Sequence, residues 1–235
     1  GQRPGKPREP APGGRAALAG AVRGAPGLAC LYACQLQQMT AFGLFTGVLA
    51  LFLHDAYGTT AAHMGSIYMV SGIAMAVVQG LALEPLASAL GPKRCLLLGN
   101  ATRLLSYCML NVGGTPATCL SYAAPMMVVV GGGLINPCLA SLTASRAPRE
   151  LRGAVLGGLQ AVGSLGQFVG PLVAGALFGV DERLPFYVAA ALSGVGCFAT
   201  LAVHECPAGA GAATVAGAGP ALGARGRPTP APAAP

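Results

Sequence analysis

The chain has 235 residues, of which 54% are hydrophobic and only 9% are charged, and its formal net charge is +7. Soluble domains carry about a quarter charged residues, so this composition indicates a membrane protein. The basic residues stand in the two ends and in short connections without interleaved aromatic residues, which argues against a nucleic-acid partner.

Six apolar segments follow one another between two polar ends. Residues 1–28 are rich in Pro, Gly and Arg and predict a disordered basic N-terminal segment. Residues 204–235 are rich in Ala, Gly and Pro and predict a disordered cytoplasmic tail. The region 29–203 between them predicts a six-helix transmembrane bundle, with helices at 29–53, 62–83, 95–112, 118–143, 154–179 and 184–203. Each has about the 20 residues that a helix needs to cross the bilayer core, and none alternates as a barrel strand would. The fold class is therefore an all-α membrane protein.

The connections differ strongly in charge. One side collects basic residues: Arg3, Lys6, Arg8, Arg15, Arg23, Lys93, Arg94, Arg146, Arg149, Arg152, Arg225 and Arg227. The other side has only Arg183, next to Asp181 and Glu182. Because basic loops stay in the cytoplasm, we expect an integral multi-pass protein with both termini cytoplasmic.

Arg103 stands out in the third segment. It follows Arg94 by nine residues, or about 13 Å along a helix, which puts it near the membrane midplane. Charges at that depth usually face a bundle interior, so Arg103 is a candidate substrate or gating cation, with Asn100 one turn before it. The alternative is a shifted helix from which Arg103 reaches the interface. No acidic residue lies at comparable depth in the other segments.

Uncharged polar residues also interrupt the apolar segments. They include Gln35, Gln38, Asn136 and Gln160. Together with Arg103 they are candidates to line a substrate path. The alternative is hydrogen bonding between helices, worth about 0.6 kcal/mol for each pair.

Glycine and proline interrupt the fourth and fifth segments. Gly131–Gly133 and then Pro137 predict either a hinge near a substrate or close helix packing. In the fifth segment, Gly166 and Gly170 have GxxxG spacing, as do Gly153 with Gly157 and Gly175 with Gly179, which predicts close helix approach. Pro171 removes the hydrogen bond to the Gln167 carbonyl and predicts a bend.

Motifs of the common enzyme classes are missing from the sequence. It has no phosphate loop, no HExxH and no GxSxG, so we expect no catalysis. It has no CxxC and no Cys/His cluster with zinc spacing, so we expect no cofactor and no metal. His54, Asp55 and His63 flank one external connection, where they are either a metal site or ordinary exposed polarity.

Two stretches resemble motifs of one transporter family. "GQFVGPLVAG" resembles the GxxxGPxxGG motif of the drug:proton antiporter and tetracycline-resistance-like branch of the major facilitator superfamily, with Ala174 in place of one glycine. "EPLASALGPKR" is similar to the family's loop motif GxLaDrxGrkR, of which Gly91, Lys93 and Arg94 are retained. Glu84, Ser88, Ala89 and Pro92 depart from it.

The resemblance covers residues 29–203 and implies the C-terminal half of a twelve-helix transporter. It implies alternating access, a small-molecule substrate, and as partners the lipid bilayer and a missing N-terminal six-helix half. Proton-coupled antiport would normally need a carboxylate in the membrane, and none lies deeper than Glu84, so a proton carrier in the other half or a uniporter fits equally well. We expect a fragment of a longer transporter; the alternative is an orphan half that acts as an assembly partner or scaffold.

Overall fold

The structure is a computed structural model that describes residues 26–111 and 117–202. Those residues form helices and connections, with no strand among them. The helices are α1 Pro26–Tyr57, α2 Ala61–Val77, α3 Leu83–Leu90, α4 Pro92–Asn111, α5 Ala117–Arg146, α6 Arg152–Phe178 and α7 Leu184–Ala202. A π-helical turn, Val78–Ala82, joins α2 and α3 into one continuous span, which leaves six spans in the described residues. The prediction of an all-α membrane fold is confirmed. The segments predicted as disordered lie outside the described residues, apart from 26–28, which begin α1.

Five of the six spans are long and apolar enough to cross a membrane on their own. The exception is α4, because Lys93, Arg94, Asn100 and Arg103 lower its hydropathy. Its buried residues recur at helical spacing: Cys95, Leu96, Gly99, Asn100, Arg103, Ser106, Tyr107 and Leu110. This stripe faces α5 and α7, against which α4 packs. The polar residues of α4 are thus accommodated by neighbouring helices.

The helix α1 is the centre of the bundle. It packs most extensively on α6, then on α7 and α5, while α2 packs on α5. Aromatic rings hold one end together: Phe45 lies 5.7 Å from Tyr107 and 6.3 Å from Phe186, between ring centres. Phe52 lies 4.9 Å from the Phe186 ring in an edge-on arrangement, as aromatic pairs prefer.

The outer surface is apolar over long helix faces. The large exposed residues on α2 and α6 are Tyr68, Met69, Val70, Ile73, Val77, Leu165, Phe168, Leu172 and Val173. A surface of this kind is unfavourable in water and is the ordinary surface of a helix in lipid. The protein is therefore an integral, multi-pass membrane protein.

Candidate functional site

Arg103 lies inside the bundle, with only 2% of its surface exposed. Its Nε donates to the carbonyl oxygen of Val128 on α5 at 3.1 Å. Its Nη1 donates to two atoms of Gln38 on α1, the carbonyl oxygen at 3.3 Å and the side-chain Oε1 at 3.1 Å. The guanidinium therefore links α1, α4 and α5, and it does not extend along α4 towards the end of the helix.

Glycines make the room that this guanidinium occupies. A Cβ at Gly132 would lie 2.6 Å from Arg103 Nη2, and one at Gly131 would lie 2.7 Å from the carbonyl oxygen of Gly99. The ring of Phe42 covers another side, with its centre 5.2 Å from Arg103 Cζ, which gives a cation–π contact. α5 runs unbroken through these glycines. Two alternatives were predicted for Gly131–Gly133, a hinge near a substrate or close helix packing. The contacts are those of close packing.

Three amide side chains extend the hydrogen-bond network that begins at the guanidinium. Gln38 Nε2 donates to Gln35 Oε1 at 3.1 Å and to Asn136 Oδ1 at 2.9 Å. Gln35 and Gln38 are 4% and 3% exposed, whereas Asn136 is partly buried and is the more accessible end. We call Arg103, Gln38, Gln35 and Asn136 the polar cluster. It joins α1, α4 and α5 in an otherwise apolar interior.

The polar cluster carries a single formal charge, which is positive. In the part of the chain that the structure describes, no acidic side chain hydrogen-bonds to Arg103 or to the three amides. The neighbours of the cation are carbonyl and amide oxygens and one aromatic ring. An unpaired cation among neutral acceptors attracts negative charge and hydrogen-bond acceptors.

Two other predicted path residues lie apart from the polar cluster. Asn100 donates to its own helix at Leu96 and, at 3.4 Å, to Thr200 on α7. Gln160 is exposed on α6. Sequence reasoning missed Phe42, although it follows Gln38 by one helical turn and so shares its face. It also missed Gln37, which donates to the Leu192 carbonyl on α7 at 2.6 Å.

The crossing of α1 and α6 is built on glycine. A Cβ at Gly170 would lie 2.6 Å from the Cα of Gly43, and one at Gly166 would lie 2.8 Å from the carbonyl oxygen of Leu36. On the facing helix, a Cβ at Gly47 would lie 2.9 Å from the Cα of Pro171. The Gly166 and Gly170 pair thus makes a close backbone contact.

The other two glycine pairs of α6 behave differently. Gly153, Gly157 and Gly175 have nothing within 4 Å of a Cβ, and Gly179 meets only its own helix. Within the described residues these glycines do not pack against another helix. Among the three GxxxG pairs of α6, the one that contacts another helix in the described residues is therefore the one that α1 meets with its own glycines.

The loop-motif residues lie where α3 meets α4. Gly91 has φ +80° and ends α3, a backbone conformation that favours glycine. Lys93 is partly buried and Arg94 is exposed, both in the first turn of α4. At the opposite end, His54 Nδ1 lies 3.1 Å from the Thr59 carbonyl oxygen. No three His, Cys, Asp or Glu side chains gather for a metal in residues 26–111 and 117–202.

Comparison with known proteins matches the chain to one family model and to several curated relatives. The family model described as Major Facilitator Superfamily matches residues 31–228. Human "Major facilitator superfamily domain-containing protein 10" is 29% identical over 143 residues, which cover 57% of this chain and 30% of that protein. "Tetracycline resistance protein, class C" of Escherichia coli is 28% identical over 147 residues, 60% of this chain and 36% of that protein.

A third relative covers more of the chain. "Multidrug resistance protein 2" of Bacillus subtilis is 29% identical over 172 residues, which are 70% of this chain and 41% of that protein. The chain therefore spans less than half the length of these curated relatives.

Proposed function

Because the chain belongs to the major facilitator superfamily, we propose that it forms one six-helix half of a transporter that moves small molecules across a membrane by alternating access. The relatives whose names refer to tetracycline and multidrug resistance support a small organic molecule as the substrate. In this proposal a second, N-terminal six-helix half supplies the other wall of the substrate path.

The buried polar cluster is the observation that carries the proposal. A charged residue inside a membrane bundle is costly, about 3 kcal/mol at a helix centre on insertion scales. Such residues usually have a function that repays the cost, and ion or substrate pathways are the common one. Arg103 is held by α1 and α5 together, so a relative movement of these helices would change its hydrogen bonds.

Within this proposal the predicted path residues take different roles. Asn136 and Gln35 form the wall that meets the substrate, and Arg103 supports them from behind through Gln38. Asn100, bonded towards α7, supports the same region without touching the substrate. Gln160 lies exposed on α6 and meets the other half or the substrate from the side. The tight α1–α6 crossing at Gly166, Gly170 and Pro171 holds these two helices in a fixed relative position.

We further propose that both termini are cytoplasmic, because the basic residues of the connections collect on their side. Coupling to protons would rest on a carboxylate of the other half, since the acidic residues of the six-helix region lie near helix ends or in connections. The protein acts without chemical change of its substrate in this scheme.

Exchange across sealed proteoliposomes tests the proposal. The purified full-length protein is reconstituted, loaded with an unlabelled aromatic solute, and followed for entry of the labelled solute. Suitable probes are benzenesulfonate, naphthalene-2-sulfonate and benzyltrimethylammonium, which are permanently charged and do not leak. Exchange above that of empty vesicles with at least one probe supports a transporter. Insertion of folded protein without exchange of any probe favours the scaffold alternative.

A further inference from the structure

The guanidinium of Arg103 determines which way three amide groups point. Arginine only donates hydrogen bonds, so the group of Gln38 that faces it at 3.1 Å must be the oxygen, Oε1. The nitrogen of that amide, Nε2, therefore points away from Arg103. It meets Gln35 at 3.1 Å and Asn136 at 2.9 Å.

The same reasoning fixes the next two groups. Because Gln38 Nε2 donates to both neighbours, each must present its own oxygen to it, Oε1 of Gln35 and Oδ1 of Asn136. Their amide nitrogens must then point outward from the cluster. Neither nitrogen donates a hydrogen bond to any other residue that the structure describes.

These two amide nitrogens differ in their surroundings. Gln35 is 4% exposed, and its Nε2 lies against α6 at Gly163, where a Cβ would come within 2.6 Å of it. Asn136 is only partly buried, so its side chain is the more exposed of the two. Neither nitrogen is among the fully enclosed, unpartnered polar atoms of the described residues, so an acceptor can still reach each of them.

The charge of Arg103 strengthens this arrangement. A cation at one end of a chain of hydrogen bonds polarises the bonds along it, so the outward N–H groups become better donors. No acidic side chain of the described residues bonds to the cluster to offset that charge. The cluster therefore offers outward donors and positive potential.

We propose that Gln35 Nε2 and Asn136 Nδ2 form a hydrogen-bond donor subsite for an anionic or acceptor group of the substrate, such as a carboxylate or sulfonate, oriented by Arg103 through Gln38. This inference rests on the proposed transport function and names its substrate class. Arg103 and Gln38 are positioning residues in it, since they act through the two outward amides.

Two conservative substitutions remove the outward donors. Gln35→Glu and Asn136→Asp keep the oxygen that accepts from Gln38 Nε2, and place the new carboxylate oxygen where the outward amide nitrogen was. A carboxylate inside the bundle costs free energy in itself, so the melting temperature of these full-length variants in detergent serves only to show that they fold.

Binding then tests the chemical class. We expect benzenesulfonate or naphthalene-2-sulfonate to raise the melting temperature of the wild type, and benzyltrimethylammonium to leave it unchanged. Gln35→Glu and Asn136→Asp should each weaken sulfonate binding about tenfold or more, because a donor to a charged group is replaced by a carboxylate. Stabilisation by the cation, or no stabilisation by either sulfonate, would overturn the anion subsite.

Gln37→Glu is the matched control. It makes the same change on α1 but breaks the 2.6 Å bond from Gln37 Nε2 to the Leu192 carbonyl, away from the polar cluster. We expect it to lower the melting temperature and to retain the preference for sulfonate. If sulfonate binds but no probe exchanges across the vesicles, the anion subsite is supported and the transport function is rejected. If only the cation exchanges, the transport function is supported and the anion subsite is rejected.

Discussion

Gly170→Ala is the most quantitative consequence of the helix packing. The added Cβ would lie 2.6 Å from the Cα of Gly43, 2.8 Å from its carbonyl carbon and 2.8 Å from the carbonyl oxygen of Thr40. Carbon atoms in contact ordinarily lie about 3.5–4.0 Å apart, so the shortfall is about 1 Å. All three obstructing atoms are backbone, and only separation of α1 from α6 can relieve the overlap.

The size of the effect follows from that separation. A gap of about 1 Å forfeits up to half of the dispersion energy of the contacts along the crossing. Overpacking a close contact typically costs about 1–3 kcal/mol, and a backbone obstruction belongs at the upper end. Alanine regains up to about 1 kcal/mol of helix propensity. We therefore expect Gly170→Ala to lower the free energy of unfolding by about 2 kcal/mol, a factor of about 30 in the folding equilibrium.

Unfolding of the full-length protein by sodium dodecyl sulfate in mixed micelles measures this free energy. Gly175→Ala is the control, because it lies five residues further along the same helix with nothing within 4 Å of its Cβ. It should keep the wild-type stability or raise it by up to about 1 kcal/mol, because alanine gains helix propensity and its Cβ meets no obstruction. Equal stability of the two variants would refute the close crossing of α1 and α6.

Three further substitutions have expected outcomes in the same unfolding assay. Gly99→Ala would put a Cβ 2.8 Å from the carbonyl oxygen of Gly131 and should cost about 1–3 kcal/mol; wild-type stability would contradict the close approach of α4 and α5. Thr60→Ala removes the side chain that caps α2 through the His63 amide at 3.3 Å and should cost about 1 kcal/mol, whereas Thr60→Ser should cost little. Gly91→Ala strains a residue at φ +80° and should cost about 1–3 kcal/mol, and no loss would argue against this turn between α3 and α4.

The fold could be read from the sequence because the bilayer imposes a simple rule. Unbroken apolar stretches of about 20 residues have to be helices, since lipid cannot bond to free backbone groups. The six predicted spans therefore correspond to the six in the structure, within four residues at each end, except that the second was predicted to end at residue 83 and extends to Leu90. The π-helical turn Val78–Ala82 was not foreseen, because a single extra residue in a helical turn leaves no clear sequence pattern.

The site was only partly predictable from the residues. Depth along a helix identified Arg103, and the scarcity of polar residues identified Gln35, Gln38 and Asn136, which the structure brings together. Which of them touch depends on how helices rotate against each other, and the sequence spacing of one helix does not contain that information. Asn100 shares a buried face with Arg103, yet it bonds to α7 because α4 packs between two helices.

The glycine pattern illustrates the same limit. Spacing of four placed three glycine pairs on α6, and only Gly166 with Gly170 meets another helix in the described residues. The discriminating feature is on the partner, since α1 presents Gly43 and Gly47 at that crossing. Helix contacts in membranes need small residues on both sides, so a motif on one helix is half of the information.

Solute exchange by Arg103→Ala is the most direct test of the central claim that the buried polar cluster serves transport. The full-length variant is reconstituted beside the wild type and beside Leu98→Ala, which changes an exposed residue of the same helix. Exchange of the sulfonate probes is divided by the amount of folded, inserted protein. We expect Arg103→Ala to insert and to exchange at least about tenfold more slowly, since Gln38 loses both of its bonds to the guanidinium, with Leu98→Ala unchanged. Exchange at the wild-type rate by folded Arg103→Ala would contradict the account.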